Sequence, residues 1–289
     1  MTKKLFCFGL GYTARALTSR LASDADWIIA GTCRSPDRQK ELIVQGIEAH
    51  VFNGTAPLAE AAEILSDVTH LLISTPPEEL TGDPVLASHA QDIAKLKNLQ
   101  WVGYLSTTGV YGDHNGGWVD DDTPETPSSR RGELRLEAEK GWLELLEQAD
   151  LTVHLFRLGS IYGPGRGQYE SLKSGRTQKI VKKNQYFSRI HVEDIVQVLL
   201  ASMDHPNPGC SYNVVDDLPA PPDEVIDYVC DLMSLPRLPE VGFDTAELSP
   251  LMRSFYSESK RVRNDRIKSE LGVKLNYPTY REGFAALVG

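Results

Sequence analysis

Through its first 158 residues the chain alternates short, mostly apolar runs with longer amphipathic stretches. Leu5-Phe6-Cys7-Phe8, Trp27 to Cys33, Ile47 to Phe52, His70 to Ser74, Trp101 to Leu105 and Thr152 to Leu158 read as six strands. Between them, Thr13 to Leu21, Pro36 to Gln45, Leu58 to Leu65, a segment opened by Asp83-Pro84, and Pro127 to Gln148 read as helices. Asp at the cap with Pro at the first helical position is a favoured start. Apolar strands alternating with helices predict a parallel sheet covered on both faces, an α/β Rossmann-type doubly wound fold. After Gly159 the texture changes. Gly163, Pro164, Gly165 and Gly167 break the pattern, and seven prolines from Pro206 to Pro239 punctuate short elements. The expected division is a nucleotide-binding domain over 1–165 plus approximately 189–216, and a smaller C-terminal substrate lobe over 166–188 and 217–289.

Composition narrows the function classes. Lys and Arg number 30 against 40 Asp and Glu, a formal net charge of −10. A broad nucleic-acid surface needs the opposite balance. No apolar stretch approaches the ~18 residues of a membrane span, and the run after Lys3-Lys4 is too short for a secretion leader. Cys7, Cys33, Cys210 and Cys230 form no CxxC pair and no zinc spacing. A reduced cytoplasmic setting, a small-molecule partner, and a monomer or homodimer without metal are the expectations.

Gly9-Leu10-Gly11-Tyr12-Thr13-Ala14 fits GxGxxG/A between a strand and a helix, the context that motif requires. Gly9 allows the tight turn and Gly11 the close approach of a pyrophosphate, which the first helical N–H groups at Tyr12 and Thr13 would bind. An NAD site places Asp or Glu at the end of the second strand. Here that strand ends Thr32-Cys33-Arg34-Ser35. The missing acid and the forked donors of Arg34, with the Ser35 hydroxyl beside it, favour NADP over NAD. Asn53 after the third strand is a candidate for the adenine edge. Ser74-Thr75-Pro76 after the fourth would run along the cofactor.

Five further segments carry a resemblance. Leu105 to Gly112 (LSTTGVYG), Arg157 to Gly165 (RLGSIYGPG), Arg189 to Ile195 (RIHVEDI), Tyr212-Asn213-Val214 and the helix expected over Lys260 to Gly272 follow one another as in the extended short-chain dehydrogenases/reductases. The chain is similar to their epimerase/dehydratase group, and more closely to the atypical branch resembling nucleoside-diphosphate-sugar epimerases. The resemblance implies a nicotinamide cofactor and makes Thr107 a contact for a substrate oxygen. It also exposes a departure. Where the family keeps a YxxxK pair, this chain has Arg131 and Arg135. Arginine does not release its proton near neutral pH, so Arg131 is no acid or base. Arg135 retains a positive charge for the ribose, and the two lie four apart, as an anion clamp would. Tyr111 and Tyr162 stand in matched motifs; Tyr111 is the candidate proton donor and Tyr162 the packing residue. Asp113 and His114 lie close by in sequence. His191, Glu193 and Asp194 read as a helix start rather than a metal site, and Asp120 to Asp122 as a solvated loop. Lys173, Arg176, Lys179, Lys182, Lys183 and Arg189 make one basic stretch, open to a phosphate or to solvent.

Two functions follow. One is an NADP-dependent oxidoreductase or epimerase acting on a small polar substrate, nucleotide-linked substrates included. The other is a catalytically inactive protein that senses NADP(H).

Overall fold

The computed structural model describes residues 2–176 and 178–289. Its elements run β1 (Lys3–Phe8), α1 (Tyr12–Leu21), β2 (Trp27–Cys33), α2 (Pro36–Val44), β3 (Glu48–Val51), α3 (Ala61–Ile64), β4 (His70–Ile73), α4 (Pro84–Ile93) and β5 (Trp101–Thr107). A 3-10 turn (Thr108–Tyr111) leads to β6 (Trp118–Val119), α5 (Arg130–Ala149), β7 (Val153–Leu158) and β8 (Ser160–Tyr162). There follow α6 (Gln168–Lys173), β9 (Lys179–Val181), β10 (Arg189–His191), α7 (Val192–Asp204), β11 (Ser211–Val214) and α8 (Pro222–Leu232). The chain closes with β12 (Glu240–Gly242), α9 (Pro250–Tyr256), β13 (Arg261–Val262), α10 (Asp265–Ser269) and α11 (Tyr280–Val288).

Seven strands form one sheet in the order β11-β7-β5-β4-β1-β2-β3. The register from β3 to β5 is parallel throughout, with Leu5 beside both Ile29 and His70. This is the doubly wound Rossmann arrangement, whose strand order reverses beside β1 and opens a crevice at the strand C-termini. Strands β1, β2, β4 and β5 lie close to the expected boundaries, because apolar runs buried on both faces leave no other reading. Asp83 caps α4 as expected: its carboxylate accepts the N–H groups of Val85 at 2.8 Å and Leu86 at 3.0 Å. The indole N–H of Trp142 donates to the other carboxylate oxygen at 3.1 Å. Burial pushes the Asp83 carboxyl up, and these three donors oppose the rise.

Two compact units make up the chain. The first comprises 1–106, 133–156 and 199–211, the second 107–132, 157–198 and 212–289. The first is built on a core of strand residues such as Phe6, Phe8, Leu71, Ile73, Val102 and Leu155, closed by Trp142 and Leu145 of α5. Cys7 sits fully buried in β1 as a free thiol, where it packs as a small hydrophobe. The second unit packs Tyr162, Val225, Ile226, Val229, Tyr280 and Phe284 together. It holds three two-stranded parallel ribbons, β10–β8, β12–β9 and β13–β6.

Three expectations need correction. The third helix, expected over Leu58 to Leu65, is a single turn, Ala61–Ile64. The helix expected over Lys260 to Gly272 divides into β13 and the five-residue α10, because Arg261 and Val262 pair with Trp118 and Val119. The basic stretch is not a patch. Lys179 pairs with Asp227 at 2.5 Å and Glu240 at 3.2 Å. Lys182 donates to the Tyr256 carbonyl, Arg176 to the Gln178 carbonyl at 2.9 Å, and Arg189 is buried against the carbonyls of Phe187 and Ala220. No helix among the described residues is long and apolar enough to cross a membrane.

Candidate functional site

The first unit carries a glycine turn at the C-terminal ends of β1, β2 and β4. The chain leaves β1 at Gly9 with φ +93°, a conformation glycine adopts at little cost. The Gly9 N–H donates to Thr32 Oγ1 at 2.9 Å, and Leu10 N–H to the Thr32 carbonyl at 2.8 Å. A Cβ at Gly9 would stand 3.1 Å from Thr75 Cγ2 and 3.3 Å from Thr75 N. Gly11 caps α1 with no side chain supplying a cap hydrogen bond. Tyr12 and Thr13 open that helix, one residue earlier than expected. Beside this turn, Thr75 Oγ1 is buried and has no partner among the described residues. A buried hydroxyl of this kind is costly unless something else satisfies it. A side-chain-free turn, a helix N-terminus without a side-chain cap and an orphaned hydroxyl fit a phosphate-bearing cofactor. Thr32, read only as part of the strand end, fixes the turn through its hydroxyl and carbonyl; a threonine inside an apolar strand is the signal for it.

The remaining cofactor candidates differ in what they have free. Arg34 is exposed, and its guanidinium has no partner among the described residues. The Ser35 hydroxyl caps α2, accepting the Arg38 N–H at 3.3 Å. Asn53 uses its carbonyl oxygen within its own turn, accepting Thr55 N–H at 3.0 Å and Thr55 Oγ1–H at 2.7 Å. Ser74 is half-buried and Pro76 exposed. Arg135 of α5 donates to the Leu105 carbonyl and lies 5.8 Å from the Tyr104 ring centroid. Glu139, one turn further, accepts the Ser106 hydroxyl.

The second unit holds the loop after β5. Thr107 is half-buried and its Oγ1 accepts the Gly109 N–H at 3.2 Å, capping the 3-10 turn. Tyr111 is fully buried. Its hydroxyl accepts Arg157 Nη1–H at 2.9 Å and donates to Asn213 Oδ1 at 2.9 Å. Burial raises its pKa to about 12, against the lowering pull of Arg157. The hydroxyl nominated as the replacement proton donor is therefore committed inside the unit. Arg157 also binds the Glu125 carboxylate, and Asn213 N–H donates to Asp121 Oδ1 at 2.6 Å. The two arginines in the YxxxK positions engage different groups: Arg131 lies 5.1 Å over the Phe255 ring, while Arg135 is held at Leu105. His114 engages the Tyr111 carbonyl at 3.0 Å, and Asp113 accepts the Ser259 N–H at 2.8 Å. Tyr162 stacks on Phe284 at 4.6 Å, as a packing residue. Asp194 accepts the N–H groups of Asn276 and Tyr277 at 2.6 and 3.1 Å. No group of three or more metal-ligating side chains occurs among the described residues.

Asp121 offers a test of this network. Burial lifts its carboxyl to about 6, with Asn213 N–H, Arg266 and Arg157 resisting. A carboxyl raised in the folded state contributes stability that is present below its unfolded value near 4 and is lost as pH rises through 6. Asp121→Asn keeps the acceptor for Asn213 and removes the titration. The variant should gain on wild type between pH 4 and 7, by about 1–2 kcal/mol after allowance for partial exposure. Thermal unfolding across that range checks it; a pH-independent difference would show that Asp121 titrates normally.

A Rossmann sheet with an uncapped glycine turn after β1 defines a nucleotide-cofactor-binding α/β protein. The sequence matches the model of the NAD dependent epimerase/dehydratase family over residues 49–215, and the chain belongs to that family. It is thus one of a family of nicotinamide-dependent enzymes. A functionally unknown conserved protein from Silicibacter pomeroyi is 53% identical, with 99% of this chain and 98% of that one covered and a TM-score of 0.90. UDP-glucuronic acid 4-epimerase from Bacillus cereus, solved with UDP-glucuronic acid and NAD, shares the fold at 14% identity, 99% and 98% coverage and a TM-score of 0.78. A 3-diazoavenalumate denitrifying reductase of a Streptomyces species is 22% identical over 287 residues, 89% of each chain.

Proposed function

We propose that the protein is an NADP-dependent oxidoreductase acting on a small polar molecule. The exposed guanidinium of Arg34 at the end of β2, without a partner among the described residues, is the observation that carries the cofactor choice. In this reading the N–H groups around Gly9, Gly11, Tyr12 and Thr13 hold the pyrophosphate. Arg34 and the Ser35 hydroxyl take the 2′-phosphate, the Asn53 amide N–H₂ lies at the adenine, and Ser74, Thr75 and Pro76 line the nicotinamide side. The structural neighbours are solved with NAD, so the choice of NADP rests on Arg34 and the absence of an acid at the end of β2. When bound, the cofactor supplies hydride transfer. Arg135, steadied by the Leu105 carbonyl, places a fixed positive charge at the position of the family's ribose-binding lysine. Thr107 orients a substrate oxygen at the end of β5, and the lobe over 166–188 and 217–289 encloses the substrate. Reduction of a small molecule also accords with the named activity of the Streptomyces relative. The protein works in the cytoplasm as a monomer or homodimer.

NADPH should bind at least about tenfold more tightly than NADH, the scale of a charge-assisted bidentate contact. Arg34→Ala should bring the two together, read by titration of nicotinamide fluorescence. Equal affinities in the wild type would remove the assignment of Arg34. A second reading, a sensor without turnover, draws on the commitment of Tyr111 to Arg157 and Asn213. A substrate screen with NADPH oxidation as readout separates the two; turnover of any carbonyl or unsaturated substrate excludes the sensor.

A further inference from the structure

His89 lies on α4, and its imidazole is buried at the C-terminal ends of β1 and β3. The ring stacks on Phe8 at 5.6 Å between centroids and leans on Phe52 at 5.4 Å, and those two phenyl rings meet edge-on at 5.6 Å. Phe8 is the residue before Gly9, and Phe52 the residue before Asn53. Both imidazole nitrogens are engaged. Nε2 accepts the Leu58 N–H at 2.9 Å, and Nδ1 lies 3.0 Å from Asp92 Oδ2. An accepting Nε2 leaves the proton on Nδ1, which donates it to the Asp92 carboxylate. Asp92 therefore fixes the tautomer that the Leu58 bond requires.

That bond closes the loop which Asn53 opens. Between β3, ending at Val51, and α3, starting at Ala61, the chain has no helix or strand of its own, so contacts set its shape. At one end the Asn53 carbonyl oxygen accepts the N–H and hydroxyl of Thr55. In the middle, Gly54 turns at φ +85°, and a Cβ there would stand 3.1 Å from Pro84 Cβ. At the other end stands His89. Pro84 and His89 both belong to α4, whose start is itself tied down by Asp83. We propose that His89 is a positioning residue for the adenosine half of the cofactor, holding the loop after β3 so that Asn53 presents its amide to the adenine. This rests on the reading of Asn53 as the adenine contact. A histidine that merely fills the core would leave the affinity of the folded protein untouched.

Titration of the folded protein with NADPH, followed by nicotinamide fluorescence, and with 2′,5′-ADP, followed by calorimetry, tests the assignment. His89→Leu keeps apolar bulk against Phe8 and Phe52 and removes the acceptor. It should weaken both ligands by the same factor, at least about tenfold, because the Leu58 N–H is left buried and unpaired and the loop has to move. His89→Gln, whose amide oxygen reaches the place of Nε2, should recover most of that loss. Asp92→Ala, at a side chain 35% exposed, keeps the fold. It should weaken both ligands about threefold by releasing the tautomer. Wild-type affinity in the leucine and alanine variants, or a glutamine variant as weak as the leucine one, would overturn the inference. So would a loss confined to NADPH with 2′,5′-ADP unchanged, which places the effect at the pyrophosphate or nicotinamide. A wild-type protein that binds neither ligand would instead overturn the proposed function on which the inference rests.

Discussion

Gly9→Val should weaken NADPH binding at least about a hundredfold, close to 3 kcal/mol. Two independent facts set the size. The backbone at Gly9 has φ +93°, a region that a β-branched residue enters only under strain of about 1–3 kcal/mol. The new Cβ would also press on Thr75 Cγ2 at 3.1 Å, with Thr75 N at 3.3 Å behind it, so that the neighbouring loop has to give way. Relief comes only by moving the turn, and a moved turn no longer presents its N–H groups to a pyrophosphate. Gly9→Ala should fall between the two, since alanine adds the same Cβ without branching. The sheet itself should survive, because β1 is anchored by β2 and β4 on either side. Circular dichroism would show an intact fold, with a lower thermal midpoint, while fluorescence titration shows the lost affinity. Binding like wild type in the valine variant would mean that the cofactor does not rest on this turn.

The parts of the molecule that were legible in its sequence are those decided locally. Strand β2 was read to the residue because it is a continuous apolar run between polar turns. The Asp83-Pro84 start of α4 needs only adjacent residues to be recognised. Arg34 lies exposed just past the end of β2, where the spacing from the glycine turn puts it. The rest is decided by partners far along the chain. Tyr111 stands in a site-like motif, but its hydroxyl is taken by Arg157 and Asn213, 46 and 102 residues away. Lys179 belongs to a basic run on paper and to Asp227, 48 residues on, in the folded protein. The segment from Lys260 has helical composition, yet the pairing of Arg261 and Val262 with β6 draws it into a strand.

The fate of Tyr111 leads to the second large effect. Arg157 has a side chain only 3% exposed and holds both the Glu125 carboxylate and the Tyr111 hydroxyl. Arg157→Leu removes both contacts together and leaves the Glu125 carboxylate, about a third exposed, without its cation. Breaking a buried pair from one side costs about 3–5 kcal/mol, and the partial access of water to Glu125 points to the lower end, about 3 kcal/mol. Tyr111→Phe loses one hydroxyl from the same network, for about 1–3 kcal/mol. The double variant should lose clearly less than the sum, because the Arg157–Tyr111 contact is then counted once. Denaturant unfolding of the four proteins gives that coupling directly, and additive losses would show that the two side chains act independently. The same set separates a structural tyrosine from a catalytic one. If Tyr111 only positions the loop after β5, Tyr111→Phe lowers stability and leaves the pH profile of NADPH oxidation unchanged in shape. A profile that loses a limb in the phenylalanine variant would make Tyr111 the proton donor after all, and would require its hydroxyl to leave Arg157 and Asn213 during turnover.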